Sequence, residues 1–211
     1  MKIISTNIAQ PTTFLWNGKE EKTGIYKVPT DQPLYLTKND VMGDEVSNRL
    51  NHGGYYKACY IFSAEQYPYW KGLYPDLDWT WGMFGENLTL SGFDENEAYL
   101  GDIYQVGEAV VQVSQYREPC YKLGHKFGTQ QVIREFIAHG YGGSYLSILE
   151  EGHVAVGQEF TLLERPENTL SVADLFQLVH AKEKNPELLK IAARSKAIPA
   201  KKRMWLETFL P

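Results

Sequence analysis

Short apolar-rich runs, punctuated by glycine and proline turns, recur along the chain up to Arg165-Pro166, and Ala109–Gln115 alternates apolar and polar residues over part of its length. A two-residue period predicts strands, because successive strand side chains point to opposite faces. Lys2–Ala9 is apolar-rich at its start. Thr13–Trp16 and Lys22–Val28 flank Asn17-Gly18, a hairpin turn signal. Leu34–Thr37, Lys57–Phe62, Leu88–Leu90, Ile103–Val106, Ala109–Gln115, Ser144–Leu149 and Gln158–Leu163 are the other expected strands. Two segments carry a helical period instead. Ser63 can cap a helix through Ala64–Lys71, and Thr129–His139 places Val132, Ile133, Phe136 and Ile137 on one face. Leu73–Trp81, with two aspartates and two tryptophans, reads as an aromatic-rich loop.

Beyond Arg165-Pro166 the pattern changes. Leu170–Ala181, Pro186–Ala193 and Pro199–Leu210 predict three short helices, with Ser171 capping the first and prolines starting the others. The expected fold is mainly β with α: a barrel over residues 1–166, followed by a three-helix segment over residues 167–211.

Composition adds bounds. The chain has 211 residues, 43% hydrophobic and 22% charged, which suits a soluble globular protein with its own core. A net charge of −5 argues against bulk nucleic-acid binding. That charge is uneven. Asn168–Pro211 carries eight Lys/Arg against four Asp/Glu, while the remainder carries 13 against 22, so a +4 tail follows a −9 body. The basic tail is either a solvated helical face or a surface for an anionic partner. No run of about 18 apolar residues predicts a membrane span, and MKIISTNIAQ lacks a secretory leader pattern. With two cysteines, Cys59 and Cys120, a reducing cytoplasm is the expected setting.

Three segments could carry chemistry. In VVQVSQYREPCYKL, residues 110–123, a strand runs into a Pro-Cys step and then a helix. Pro119 suits a first helical turn, which would leave Cys120 near a helix N-terminus, where N–H groups favour a thiolate. Arg117 and Lys122 add positive charge if they fold back. Cys120 is then a metal ligand, a nucleophile, or a small buried hydrophobe. His52-Gly53-Gly54 with Lys57 could cradle an oxyanion, or be a glycine turn beside a surface lysine. Gly85-Glu86-Asn87 could pair with a heterocycle edge, or cap a strand. Cys59, in the apolar run Ala58–Phe62, suits core packing. Dinucleotide, Walker and HExxH signatures are missing.

In sequence order, His52-Gly53-Gly54 with Lys57-Ala58, Phe84-Gly85-Glu86-Asn87-Leu88-Thr89, Gly101-Asp102, and Val113-Ser114-Gln115 with Arg117, Pro119 and Cys120 resemble the MOSC domain family. That family is named after the C-terminal domain of molybdenum cofactor sulfurase. The likeness spans residues 40–165, and the tail also matches the stand-alone bacterial YiiM subgroup. The resemblance implies a closed β-barrel similar to the barrel domain of pyruvate kinase. It implies the molybdenum cofactor (molybdopterin), with Cys120 as metal ligand and catalytic residue. Arg117, Lys57 and the His52, Gly53, Gly54 loop would hold cofactor oxygens, and Glu86 and Asn87 would lie near pterin or substrate. The subgroup is associated with reducing N-hydroxylated compounds such as hydroxylamino-purine base analogues. No flavin or nicotinamide motif is present, so a separate electron-donating reductase is expected.

Two departures stand out: Tyr116 replaces the subgroup's usual proline, and Tyr55-Tyr56 follow Gly54. The first is expected to place a ring near the site. An aromatic wall of Trp79, Trp81 and Phe84 near Glu86 favours an enzyme with a substrate pocket. The alternatives are a carrier that holds cofactor or persulfide sulfur without turnover, and an interaction protein that uses its basic tail. Oligomeric state is left open by the sequence.

Overall fold

The computed structural model describes residues 1–210; the side chains of Leu50 and Asn51 also lie outside the described set. In chain order the first elements are β1 (Lys2–Ile8), β2 (Thr12–Trp16), β3 (Lys19–Thr23), β4 (Val28–Thr30), β5 (Leu34–Leu36), α1 (Arg49–His52), β6 (Cys59–Ser63), α2 (Tyr67–Leu73) and β7 (Leu88–Ser91). They are followed by β8 (Ile103–Val106), β9 (Ala109–Tyr116), α3 (Tyr121–Lys126), α4 (Gln131–His139), β10 (Ser144–Glu150), β11 (Gly152–Val154) and β12 (Thr161–Glu164). The last three are α5 (Val172–His180), α6 (Pro186–Arg194) and α7 (Ala200–Glu207).

Eight strands form one sheet in the order β12-β8-β9-β10-β6-β7-β1-β4. All neighbours are antiparallel except β6 and β7, which pair through Ile61–Leu88, Phe62–Thr89 and Ser63–Leu90. A parallel pair needs a long crossover, and here it carries α2 and the aromatic loop. The expected closed barrel is corrected: among the described residues the sheet curls but stays open between β4 and β12. A seam of backbone bonds spans part of that gap. Ile3 N donates to Gln158 O at 2.9 Å, Gly157 N to Ile3 O at 2.8 Å and Phe160 N to Met1 O at 2.9 Å. β5 pairs only with β11, and β2 only with β3.

The β2–β3 hairpin is the one that Asn17-Gly18 announces: both residues have positive φ, 49° and 76°, as a tight two-residue turn needs. The three tail helices form as expected, with Ser171 and Asp174 making a capping box on α5. They are not the whole helical content, since α1 to α4 lie within the first 166 residues. No helix among the described residues is long and apolar enough to cross a membrane.

Two hydrophobic clusters hold the molecule together. The larger is mostly aliphatic and joins sheet residues such as Ile61, Leu88, Val111 and Leu146 to Leu175, Phe176, Leu189 and Leu206 of the tail. The other is aromatic, with Phe62, Tyr67, Trp70, Phe84, Phe127 and Phe136 buried together. β9 shows what these two packings do. Its early residues alternate between buried and half-buried, but its last four are all buried, because both faces are covered where the strand approaches Cys120. Tyr116 is only 1% exposed. Its ring meets Phe176 of α5 at 4.9 Å, so it packs against the tail.

Candidate functional site

Beside the aromatic cluster lies a cavity of about 90 Å³, open at its mouth. Five segments far apart in sequence build its wall: residues 23–27, 44–60, 84–87, 117–122, and Tyr145. Of the residues singled out from sequence, Cys120, Arg117, Lys57, His52 and Asn87 all line it. Glu86, Gly53 and Gly54 do not.

Cys120 follows directly from local structure. β9 ends at Tyr116, and Cys120 is the N-cap residue of α3, with extended backbone (φ −128°, ψ 166°). Pro119 therefore precedes the cap and is not in the first helical turn as expected. Leu123 N donates to Cys120 O at 2.8 Å. The cysteine is half-buried and free.

Arg117 is 5% exposed. Its guanidinium lies between the rings of Tyr60 and Phe136, at 5.3 and 5.2 Å from their centroids, a favourable cation–π seat. Nη1 is buried without a hydrogen-bond partner among the described residues. An unmet buried donor is costly, more so when charged. Its backbone N donates to Gly143 O at 3.4 Å. Gly143 must be glycine there: φ is +74°, and a Cβ would fall 2.2 Å from Ile61 O.

Three further cations line the cavity. Lys122 is 8% exposed, and its ammonium donates to Lys22 O at 2.6 Å. Lys57 Nζ lies 5.6 Å from the Tyr145 ring centroid, and burial pushes its ammonium below the usual lysine range while Glu118 pulls it up. Lys27 pairs with Asp44, both buried. Asp44 also accepts from Ala9 N at 2.8 Å and from Asn87 Nδ2 at 2.9 Å. Asn87 is thereby fixed, and its Oδ1 accepts from Tyr60 N at 3.2 Å. His52 is held neutral: burial first, then the charges of Lys57, Arg117 and Lys122, bring it to about 4. Asp44, Glu45 and Glu118 are the acidic residues of the wall.

The glycine loop works differently from the expectation. His52 N donates to Asn48 O, Gly53 N to Arg49 O and Gly54 N to Asn39 O. All three amides are engaged within the chain, and His52 and Lys57 are the residues this segment presents to the cavity. Glu86 is likewise internal. Its carboxylate accepts from Gly82 N at 2.9 Å, Phe84 N at 3.0 Å, Thr89 Oγ1 at 2.9 Å and the Tyr67 hydroxyl. It therefore shapes the loop whose Phe84, Gly85 and Asn87 reach the cavity. Phe84 lines the wall, whereas Trp79 and Trp81 pack on Tyr67 behind it. Tyr116 faces the tail; only its hydroxyl turns this way, to Glu118 at 3.4 Å.

The sequence reading missed Lys27, Asp44, Tyr60, Tyr145 and Glu118. Glu118 sits between two residues that had been singled out and could have been found. Lys27 and Asp44 have no local signature, because their pairing exists only once β1 and the segments at 27 and 44 meet.

Chemically, the wall offers one accessible thiol, an unmet guanidinium donor, neighbouring ammonium groups and the flat faces of Tyr60, Phe84 and Tyr145. No cluster of three or more His, Cys, Asp or Glu able to hold a metal exists among the described residues. A metal on Cys120 would have to arrive with its other ligands attached.

The MOSC domain family model matches residues 48–161. YflK of Bacillus subtilis (strain 168) is 39% identical over 170 residues, covering 81% of this chain and 76% of that protein. A protein of Gibberella moniliformis named "Reductase" is 32% identical over 176 residues, and the match covers 82% of this chain but only 31% of the fungal protein. The crystal structure of YiiM from Geobacillus stearothermophilus superposes with a TM-score of 0.83 at 31% identity, over 100% of this chain and 99% of that one. The chain belongs to the MOSC domain family, in its stand-alone YiiM-like subgroup.

Proposed function

We propose that this MOSC-family chain binds a molybdenum cofactor through Cys120 and, with electrons from a separate reductase, reduces N-hydroxylated compounds such as hydroxylamino-purines. The observation that carries the reading is Arg117: a buried guanidinium nitrogen without a partner, in the same cavity wall as the free Cys120 thiol. An anionic, sulfur-liganded group fits that pair of donors. A soft thiolate suits such a metal, and a metal that brings its own ligands suits a site with a single protein ligand.

When bound, the cofactor would supply the two-electron chemistry that removes oxygen from an N–OH group. The chain's residues would do the rest. Cys120 would ligate the metal. Arg117, Lys57 and Lys122 would hold cofactor oxygens, Arg117 by charge-assisted hydrogen bonds. Tyr60, Phe84 and Tyr145 would offer ring faces to a flat heterocycle. Neutral His52 would add no further positive charge and could accept or donate a proton at its ring. Glu86 would act at one remove, by fixing the 82–87 loop. The fungal relative's name supports a redox role.

The test is to purify the protein and Cys120→Ala from a host that makes molybdenum cofactor, and to measure bound molybdenum. The native protein should hold metal and the variant should lose nearly all of it. Equal metal in both would remove Cys120 as ligand, and none in either would defeat the cofactor reading. Turnover of hydroxylamino-purine with an artificial donor then separates an enzyme from a carrier of cofactor or sulfur.

A further inference from the structure

The outer face of α7 carries exposed apolar side chains. Residues three and four apart on a helix share a face, and Lys201, Met204, Trp205 and Thr208 form such a stripe, all of them exposed. Met204 is 65% and Trp205 40% exposed, an uncovered apolar pair on an eight-residue helix. The tryptophan is nevertheless well seated. Phe209 meets it edge-on at 4.9 Å, and Lys184 Nζ lies 5.5 Å from its ring. Lys184 is itself held by the carbonyls of Leu178, Val179 and Ala181 at the end of α5. A fixed tryptophan beside basic residues is the composition of an interface anchor.

The flank of the helix beside this stripe touches the cavity wall through Lys202. Lys202 Nζ donates to Glu118 at 2.5 Å and lies 4.5 Å from the Tyr116 ring centroid. Glu118 lines the cavity two residues before Cys120. The exposed stripe thus lies on the same short helix that contacts the wall holding the thiol. The charge is polarised to match: +4 over the tail from residue 168 and −9 over the remainder.

We infer that the Lys201–Met204–Trp205 stripe of α7 is the docking surface for an acidic, electron-donating protein, with Trp205 as its central anchor. The inference rests on the reductase reading, which requires an external donor. An acidic protein is drawn to the tail and repelled by the body, so the charge pattern also orients it. An anionic membrane is less well matched. The apolar face is small and the helix also carries exposed Glu207, whereas interfacial helices bury a broad apolar side.

The test uses the loaded protein and two donors: reduced methyl viologen, which needs no docking, and a reduced bacterial flavodoxin, an acidic electron carrier. Binding to immobilised flavodoxin and to anionic phospholipid vesicles is measured alongside. Trp205→Ala should keep the viologen-driven rate and lose flavodoxin binding and flavodoxin-driven rate by about tenfold or more. Lys201→Glu should lose about threefold at low salt, with the difference shrinking as salt rises. Unchanged flavodoxin binding in both variants, no flavodoxin binding by the native protein, or capture by vesicles in its place would each overturn the docking surface. Absence of viologen-driven turnover in the native protein would defeat the reductase reading, and the binding arm, which needs no turnover, would still judge the surface.

Discussion

Cys59 and Cys120 are the same side chain in opposite surroundings. Cys59 opens β6, a strand buried on both faces, and is itself fully buried. Burial pushes its thiol far up, and the nearby charge of Asp44 adds to the shift. Cys120 sits where a strand has ended and a helix has not begun, half-buried, on a wall shared with Arg117, Lys57 and Lys122. Continuous pairing removes Cys59 from chemistry, whereas a break in pairing leaves Cys120 reachable. Reactivity here is a property of the backbone's course more than of the residue.

The strongest way to break this contrast is a thiol-labelling experiment on the folded protein. Cys120 should react with an aromatic disulfide reagent at least about a hundredfold faster than Cys59. Denaturant should make both react alike, and mass spectrometry of each cysteine peptide decides the matter. Comparable rates in the native state would mean that β6 opens easily and that the two environments are not distinct.

The cationic wall can be sharpened through His52. Folded His52 titrates at about 4, and the unfolded side chain near 6.5. Between those values the unfolded chain binds the extra proton, so stability is complete above about pH 6.5 and declines as pH falls toward 4. His52→Gln should remove on the order of 2–3 kcal/mol of that decline, read from denaturation midpoints at pH 7 and pH 4.5. Inorganic phosphate should flatten the native slope if it neutralises the same cations. The smallest effect concerns the buried side. Cys59→Ser places a hydroxyl in the aliphatic core and should cost about 1–3 kcal/mol, with bound molybdenum unchanged once the variant is folded.

The sequence exposes the parts of the site that are local. The joint of β9 and α3 is legible in VSQYREPCYKL because strand, turn and helix are consecutive there. The hairpin at Asn17-Gly18 is legible because those two residues alone set its turn. What escapes is anything decided at long range. Glu86 accepts from Tyr67, 19 residues away, a contact that helps to organise its loop. Tyr116 turns toward Phe176, 60 positions later, a packing choice that no window around β9 contains. Nothing in the sequence around the His52–Gly54 loop marks its amides as engaged, yet Asn39 and the turn of α1 bond them. The sheet stays open because its edge strands β4 and β12 do not pair, and neither strand carries a mark of that.

The seam between Met1–Ile3 and residues 157–160 has a consequence for how the molecule is made. Met1–Ile3 bonds to a segment that follows more than 150 residues later. β1 also waits for β7, whose partners begin at Leu88. Contacts so distant in sequence are slow to form, so β1, made well before its partners, is among the last strands to be locked. Until then its free edges are open to other chains, a hazard for any chain whose early strands wait on late ones.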